Sequence, residues 1–356
     1  MSSERGNLGV AVIGAGPFGA KRARSVAAHS PSRLVVVADC VRERAQALAS
    51  ECGCEVETDW QRAVERSDVD AVIVSTPTPV LAEISLFAIK CGKHTLTEKP
   101  FARTPEEART LVEAAHAKGV HLKAGYNHRY HPAIRRAHEL FTQGSIGRTI
   151  LVRCIYGHGG RPGYDREWRA RADLSGGGVL MDQGVHLLDL LGWFAGDFQE
   201  VAAMISTAFW PMSPVEDNVC AVLRSNGGAV AELHASWTEW KNTFRFEVFG
   251  DHGYLRVTGL GASYGPETLC VGVREKLGEV PREQSFVFAG PDESLIREWE
   301  AFAGVVVNGD KVESDGLVAL RTLLLAEAIY RAAKEGRTAR LAEDRAVLSN
   351  PVTASG

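Results

Sequence analysis

A short apolar run near the start of the chain leads directly into a glycine-rich turn. Residues 8–13 (LGVAVI) are followed by GAGPFG and then by a segment with the composition of a helix. Gly14 permits a tight turn, Gly16 leaves room for a pyrophosphate, and Gly19 allows the helix to pack closely on the strand. This order of strand, glycine turn and helix start predicts a dinucleotide-binding site.

An acidic residue follows at the distance that such a site requires. The second apolar run, residues 34–38, ends at Asp39, about 20 residues after the last glycine. Asp39 would accept hydrogen bonds from both ribose hydroxyls of an adenosine, and its charge would repel the 2′-phosphate of NADP. A glycine-rich loop alone can be an ordinary turn, but this context favours NAD. Arg42 and Arg44 lie just beyond and could face a 2′-phosphate, so NADP stays the less favoured alternative.

Apolar runs alternate with helical stretches through the first third of the chain. This alternation is typical of a doubly wound parallel sheet, the α/β Rossmann fold. Thr104 and Pro105 supply a cap and a first-turn proline for one of the helices. The strand candidates are residues 8–13, 33–38, 70–74, 93–96 and 119–123, and the helical segments include 41–51, 80–90 and 105–117.

After about residue 125 the strand candidates follow one another with short glycine turns between them. Consecutive strands joined by hairpins predict an open, mostly antiparallel sheet. The candidates are residues 149–156, 198–208, 217–224, 228–238, 243–249 and 253–258. Residues 260–284 are rich in Gly, Glu and Pro and are expected to be irregular.

Three helical segments accompany this sheet. Those at residues 179–195 and 294–307 are expected to cover one of its faces, and that at 316–335 to close the domain. The predicted architecture is therefore a Rossmann domain, residues 1–125, followed by an α+β domain, residues 126–356.

The composition limits the classes of partner. A chain of 356 residues with 45% hydrophobic and 24% charged residues suits a globular protein of two domains. A net charge of −4 creates no basic field that would attract nucleic acid or an anionic membrane. We find neither the pattern of a signal peptide nor an apolar run of roughly 18 residues, so the expected location is the cytoplasm.

Cysteine and histidine spacings predict neither disulfides nor a metal. The seven cysteines are an odd number without framework spacing, as expected of reduced thiols. Cys52 and Cys54 are separated by one residue, where zinc and redox pairs usually have two. His128 and His131, with His121 and His138 nearby, lack a matching set of Cys or carboxylate ligands.

Two motifs lie where parallel strands are expected to end, which is where open sheets bind ligands. Residues 75–79 (STPTP) follow one strand candidate, and residues 97–100 (TEKP) follow the next. Pro100 favours an extended conformation for Lys99, which would fix the direction of its side chain. The alternative interpretation is a surface loop with a solvated lysine.

A third motif lies in the second predicted domain. The run Gly176–Gly178 invites close approach of a ligand to the backbone, and a helical segment follows it. On that helix four polar or aromatic residues fall within one narrow stripe: Asp182, His186, Asp189 and Trp193. The stripe is either a solvated face with a core histidine, or an acid/base pair in which Asp182 and His186 share a substrate hydroxyl.

Taken in order, these motifs resemble the Gfo/Idh/MocA family of nicotinamide-dependent oxidoreductases, and the resemblance covers nearly the whole chain. It rests on GAGPFG (14–19), EKP (98–100), GYNHRYHP (125–132), Trp168-Arg169, and Asp182 with His186. One departure concerns residues 78–81 (TPVL), where the family often has a histidine. That departure bears on local cofactor or substrate contacts and leaves the fold unaffected.

The resemblance implies roles for individual residues. Lys99 would position the reacting carbon and tune proton transfer, His186 would be the general acid/base, and Asp182 would hold a substrate hydroxyl. The implied substrate contacts are Lys99, Tyr126, Asn127, Asp182 and His186. The predicted cofactor contacts are Gly14, Gly16, Pro17, Phe18, Gly19, Asp39, Ser75, Thr76, Pro77, Glu98, Lys99, Asn127, Trp168 and Arg169.

The predicted function is hydride transfer between NAD and a secondary alcohol or ketone of a sugar, sugar acid, sugar nucleotide or cyclitol. Five arginines between residues 153 and 171 could bind an anionic group of the substrate, such as a phosphate or carboxylate, so an anionic substrate is an open alternative. The alternatives are a glycosidase that oxidises its substrate transiently with NAD, and a non-catalytic NAD sensor, which would not need Lys99, Asp182 and His186. The resemblance also implies a homodimer or homotetramer, formed through the exposed face of the antiparallel sheet.

Overall fold

Six short strands form one parallel sheet in the computed structural model of the chain, which describes residues 7–341. Their spatial order is β3-β2-β1-β4-β5-β6, the order of a dinucleotide-binding Rossmann fold. The strands are β1 (Leu8–Ile13), β2 (Ser32–Ala38), β3 (Glu55–Glu57), β4 (Ala71–Val74), β5 (His94–Glu98) and β6 (Leu122–Gly125). The predicted parallel sheet is confirmed; β3 was not predicted, and β6 lies further along the chain than the predicted 119–123.

Helices pack on both faces of this sheet because its strands are apolar on both sides. In β1, Val10 and Val12 belong to one hydrophobic cluster, while Ala11 and Ile13 belong to another on the opposite face. The helices of this part are α1 (Pro17–Ala28), α2 (Arg42–Cys52), α3 (Trp60–Glu65), α4 (Thr78–Lys90) and α5 (Pro105–Lys118), followed by a 3-10 helix (Asn127–Tyr130). The predicted cap of α5 is present, since Thr104 accepts the N–H of Glu107 at 3.3 Å.

One predicted helix packs in an unexpected place. Helix α9 (Ser294–Asn308) was expected to cover the antiparallel sheet, but its apolar side chains Trp299 and Phe302 join the hydrophobic cluster of the parallel sheet. The indole of Trp299 donates to the hydroxyl of Ser32 at 3.0 Å. The apolar spacing of α9 predicts a buried face, but it does not say which sheet that face meets.

Nine strands form the second sheet, in the order β14-β13-β12-β11-β7-β10-β9-β8-β15. Strands β7 and β10 pair in parallel, and all other neighbours pair antiparallel, as predicted for the second domain. The strands are β7 (Thr149–Gly157), β8 (Phe198–Ser206), β9 (Asn218–Ser225), β10 (Val230–Ser236), β11 (Thr243–Gly250), β12 (Gly253–Thr258), β13 (Glu267–Val273), β14 (Arg282–Phe288) and β15 (Ala339–Arg340). Residues 260–284 were expected to be irregular, but they contain β13 and the start of β14, because the alternation of side chains there is partly masked by Gly and Glu.

Helices cover one face of the second sheet. In β9, Val219, Ala221 and Leu223 are buried, whereas Cys220 and Val222 point to the other, exposed face. The remaining helices are α6 (Pro132–Thr142), α7 (Ala172–Ser175), α8 (Val185–Ala195) and α10 (Gly316–Glu335), with 3-10 turns at Tyr164–Arg166 and Trp168–Ala170 and a π-helix at Leu180–Gly184.

The described residues divide into two units. The first contains residues 7–130, Asp173–Gly176 and Asp292–Leu320, and the second contains His131–Ala172, Gly177–Pro291 and residues 321–341. The division into domains 1–125 and 126–356 stays a prediction. Within residues 7–341, no helix has the length and apolar composition needed to cross a membrane.

The cysteines and histidines have ordinary structural surroundings. The seven cysteines are free thiols, and burial raises the pKa of Cys54 to about 11, which keeps its thiol protonated and unreactive. His121 stacks on His94 with ring centroids 5.1 Å apart, and His131 lies 2.6 Å from the carboxylate of Glu267. Residues 7–341 contain no group of three or more His, Cys, Asp or Glu side chains arranged to hold a metal ion.

Candidate active site

The glycine turn joins β1 to α1 at the carboxyl end of the parallel sheet. Gly14 has a φ of 100°, and its N–H donates to the carbonyl of Ala38 at 2.8 Å. A Cβ at Gly19 would overlap the carbonyl oxygen of Gly14, whereas a Cβ at Gly16 would meet no atom of residues 7–341 within 4 Å. The fold itself therefore requires Gly14 and Gly19, while Gly16 leaves open space at the start of α1, as a bound phosphate needs.

The carboxylate of Asp39 is fixed beside this turn. Its Oδ2 accepts the N–H of Ala15 and its Oδ1 accepts the N–H of Val41, each at 2.8 Å. Each carboxylate oxygen has a second acceptor direction. Asp39 can therefore hold the turn and still accept hydrogen bonds from the two hydroxyls of a ribose.

Two hydroxyls lie buried where β4 ends. Ser75 follows the strand and its N–H donates to the carbonyl of Ile13 at 2.8 Å, which places it beside β1. The hydroxyl oxygens of Ser75 and Thr76 are buried and have no hydrogen-bond partner among residues 7–341. Because a buried hydroxyl without a partner costs free energy, both are suited to hydrogen bonding with a ligand. Together with Asp39 and the open start of α1, they fit a dinucleotide.

We expect Gly16→Ala and Gly19→Ala to separate the fold from the ligand site. In Gly19→Ala the new methyl overlaps a backbone oxygen, so the unfolding temperature should fall by about 5 °C or more. In Gly16→Ala the methyl enters open space, so the unfolding temperature should stay within about 2 °C while NAD affinity falls about tenfold. Scanning fluorimetry and calorimetric titration with NAD measure the two effects. Full NAD affinity in Gly16→Ala would contradict this placement of the pyrophosphate.

Lys99 directly follows β5 and is half-buried. Its backbone N–H donates to Oε2 of Glu98 at 3.3 Å, and Oε1 of Glu98 accepts the Nε–H of the fully buried Arg22 at 2.6 Å. Arg22 lies on α1, the helix that follows the glycine turn. The backbone of Lys99 is therefore anchored, through one carboxylate, to the predicted phosphate-binding helix.

Four buried charged residues form a buried ion network around this anchor: Arg22, Glu98, Lys123 and Glu298. Glu298, on α9, lies 2.6 Å from Arg22 and 3.5 Å from the ammonium of Lys123. Burial lowers the pKa of Arg22, but the two carboxylates outweigh burial and hold its pKa above the usual range, so it stays charged. Gly125 is needed here, since a Cβ would lie 2.9 Å from Arg22 and 3.1 Å from Glu98.

Tyr126 and Asn127, predicted to line the site, are both buried. The amide nitrogen of Asn127 donates to the hydroxyl of Ser294 at 2.8 Å, and its amide oxygen lies 3.3 Å from Nδ1 of His128. Protein atoms thus engage both ends of this amide, and its contacts with cofactor or substrate stay predictions.

In the second unit, Asp182 forms an ion pair with Arg169 of the predicted Trp168-Arg169 motif. Its carboxylate lies 3.2 Å from Nε of Arg169, and Arg169 also lies 3.4 Å from Glu167. The guanidinium of Arg169 stacks over the ring of Trp168, 4.6 Å from its centroid. The Trp168-Arg169 segment predicted to contact the cofactor is thus placed beside Asp182 in this structure.

The polar stripe is not a solvated face. His186 is 5% exposed and Asp189 is 1% exposed, while Trp193 stacks on His138 with ring centroids 3.5 Å apart. The segment was predicted as one α-helix, but its first turn, from Leu180, is a π-helix. Such π-helical turns often occur at functional sites, and this one contains Asp182 and ends two residues before His186.

Aromatic hydroxyls surround this turn, and no sequence motif predicted them. The ring of Tyr156 lies 6.4 Å from that of His186 and 5.0 Å from that of Tyr264, whose hydroxyl accepts the amide N–H of Gln183 at 3.1 Å. Burial, together with the charge of Asp182, raises the pKa of both tyrosines, which therefore stay protonated. Only the position of Tyr156 at the end of a strand, before a glycine, could have indicated it.

The glycine run before this turn serves the protein itself. The N–H groups of Gly178 and Leu180 donate to the carboxylate of Glu216 at 3.0 Å, and the hydroxyl of Tyr330 donates to it at 2.8 Å. A Cβ at Gly178 would overlap the backbone of Glu216. For Gly177 and Gly178, the predicted close approach is therefore made by protein atoms of Tyr330 and Glu216.

Most arginines that suggested an anionic substrate are paired with nearby carboxylates. Arg153 lies 3.2 Å from Glu247, and Arg161 lies 2.6 Å from Glu167. Arg166 extends into solvent, 4.0 Å from Asp165. These partners weaken the argument for a bound anion.

Comparison with known proteins agrees with this arrangement along most of the chain. Residues 8–126 match a model described as an oxidoreductase family with an NAD-binding Rossmann fold, and residues 134–256 match the Gfo/Idh/MocA C-terminal domain. The chain belongs to the Gfo/Idh/MocA family. The predicted NAD-binding Rossmann domain and oxidoreductase class are thereby confirmed.

Named Gfo/Idh/MocA relatives are similar over nearly their whole length. Levoglucosan dehydrogenase of Pseudarthrobacter phenanthrenivorans is 28% identical and covers 92% of this chain and 97% of its own. Inositol 2-dehydrogenase of Rhizobium meliloti is 26% identical, covering 93% and 98%. Among solved structures, a levoglucosan dehydrogenase in complex with NADH superposes with a TM-score of 0.86 at 25% identity, over 94% of this chain and 99% of that one.

Proposed function

We propose that this protein is an NAD-dependent dehydrogenase or ketoreductase acting on a secondary alcohol or ketone of a sugar, sugar acid, sugar nucleotide or cyclitol. The observation that carries the proposal is the group of hydroxyl, carboxylate and imidazole side chains around the π-helix, which suits a polyhydroxylated ring: Tyr156, Asp182, His186 and Tyr264. The names of two relatives, levoglucosan dehydrogenase and inositol 2-dehydrogenase, support the same class.

Three residues are proposed for the chemistry. Bound NAD supplies the acceptor or donor of a hydride. His186 removes the hydroxyl proton in oxidation and returns it in reduction, and Asp182 holds a substrate hydroxyl. Lys99 positions the reacting carbon and tunes this proton transfer with its ammonium group. Protonated Tyr156 and Tyr264 add hydrogen-bond donors that restrict how the ring can lie.

The cofactor preference is proposed from Asp39. Its carboxylate is fixed beside the glycine turn, where it favours ribose hydroxyls and repels a 2′-phosphate. Arg42 and Arg44 are exposed. We therefore propose NAD as the principal cofactor, with weaker use of NADP.

An absorbance screen at the reduced-nicotinamide band tests the proposal. We expect sugars, uronates, sugar nucleotides or inositols to reduce NAD, with a kcat/KM at least about tenfold higher than with NADP. Glycoside cleavage without net reduction of NAD would instead indicate the transient-oxidation glycosidase. NAD binding without turnover of any compound would indicate a sensor. The homo-oligomer and the cytoplasmic location stay predictions.

A further inference from the structure

The second unit exposes large aromatic rings to solvent. Phe209 is 58% exposed and Trp240 is 69% exposed. Their rings meet edge to face with centroids 4.9 Å apart, and Trp210 lies 5.2 Å from Phe209. We call Phe209, Trp210 and Trp240 the aromatic platform. Clustered rings of this size, left in water, commonly mark a ligand-binding surface.

Hydrogen bonds to the protein hold two members of the aromatic platform, Phe209 and Trp210. The buried carboxylate of Asp217 accepts the N–H groups of Phe209 at 2.8 Å and of Trp210 at 3.0 Å. Burial raises the pKa of Asp217, but the backbone hydrogen bonds outweigh it and lower the pKa, so the carboxylate stays charged. The indole of Trp210 donates to the carbonyl of Trp237 at 3.0 Å. The backbone at Phe209 and the indole ring of Trp210 are therefore preorganised.

Two glycines allow the rings to lie against the main chain. A Cβ at Gly159 would lie 3.3 Å from the ring of Trp240, and a Cβ at Gly160 would overlap the ring of Trp210. The N–H of Gly160 donates to Nδ1 of the preceding His158 at 2.9 Å. The aromatic platform thus rests on the loop that leaves β7 just after Tyr156.

The same loop connects the aromatic platform to Asp182. The ring of Tyr164 lies 5.8 Å from that of Trp210. Burial, followed by the charge of Asp182, raises the pKa of Tyr164, which therefore stays protonated. From Tyr164 the contacts continue to Arg161, whose guanidinium lies 5.5 Å from the ring centroid, and from Arg161 to Glu167 at 2.6 Å. Glu167 lies 3.4 Å from Arg169, which in turn lies 3.2 Å from Asp182. The aromatic platform is therefore joined through this chain of contacts to the carboxylate proposed to hold substrate.

We propose that the aromatic platform is a second saccharide subsite, which binds the apolar face of a sugar ring joined to the ring held at Asp182. The proposal rests on the proposed function for the first ring. The perpendicular rings of Phe209 and Trp240 form a corner that contacts the C–H face and one edge of a pyranose and leaves its hydroxyls in water. The substrate class is then a disaccharide or another glycoside.

Calorimetric titration of NADH-loaded protein with cellobiose, maltose and glucose tests this subsite, because the reduced cofactor cannot accept a hydride from the added sugar. In Trp240→Ala and Phe209→Ala we expect the Kd of at least one disaccharide to rise about tenfold, and several-fold more than that of glucose. Met204→Ala is the matched control, because Met204 is 82% exposed on β8 but lies outside the aromatic platform. Its disaccharide affinity should not change.

Three results would overturn the proposed saccharide subsite. The subsite is overturned if neither disaccharide binds the unchanged protein, or if glucose and disaccharides weaken equally. It is also overturned if Trp240→Ala lowers the oligomeric state in gel filtration, since the rings would then contact a second copy of the chain. Because calorimetry requires no turnover, selective loss of disaccharide affinity without NAD reduction by any sugar would support the subsite and reject the dehydrogenase proposal.

Discussion

Replacing Lys99 by Ala is expected to lower kcat at least about a hundredfold while the Kd for NAD changes less than about threefold. The loop is held through the backbone N–H of Lys99, which donates to Glu98, and through the bond of Glu98 to Arg22. Alanine keeps that backbone N–H, so truncation of the side chain removes a charge from the reaction without releasing the loop. Steady-state kinetics with the best substrate and calorimetry with NAD measure the two quantities.

Lys118→Ala is the matched control for this variant. Lys118 is an exposed lysine at the end of α5, in the same unit, so its loss removes a charge without touching the proposed chemistry. Its kcat should stay within about twofold of the unchanged protein. Unchanged turnover in Lys99→Ala would reject the assignment of Lys99, and an equal fall in both variants would indicate a general electrostatic effect.

Glu298→Ala is expected to lower the free energy of unfolding by about 3–5 kcal/mol, the range for breaking a buried ion pair. Glu298 is fully buried and neutralises both Arg22 and Lys123. Its removal leaves two buried cations with one buried carboxylate, Glu98. Urea unfolding followed by far-ultraviolet circular dichroism gives the free energy of unfolding.

Glu300→Ala isolates the effect of burial, because Glu300 lies on the same helix but is exposed. Its cost should be within about 0.5 kcal/mol. Glu298→Gln keeps the shape and loses only the charge, so its cost should lie between those of the two Ala variants. A loss below about 1 kcal/mol in Glu298→Ala would mean that water or a shift of Arg22 compensates the missing charge.

The sequence predicts the cofactor half of the fold well because its signals are local. The apolar strands, the φ of Gly14 and the tight packing at Gly19 each follow from a few adjacent residues. The sheet on which α9 packs cannot be predicted in this way, because the pattern of an amphipathic helix does not specify which of two sheets it will cover. Trp299 and Phe302 find their place only through contacts distant in sequence.

The substrate half was predicted less completely for a similar reason. Asp182 and His186 stand out on a helix, but Tyr264 lies in a segment whose composition indicated an irregular loop. The π-helix changes which residues of this segment share one face, and no residue type in the sequence predicts a π-helix. The glycines at 177 and 178 show the converse error, since a glycine run indicates close approach without saying whether a ligand or a side chain approaches.

The carboxylate of Glu216 limits where the chain can be cut or extended. It joins the start of the π-helix to the hydroxyl of Tyr330 on α10, so three segments far apart in sequence share one anchor. Helix α10 is therefore an unsuitable place for a truncation, a fused tag or a circular permutation point. A cut there would loosen the turn that carries Asp182 from more than 140 residues away.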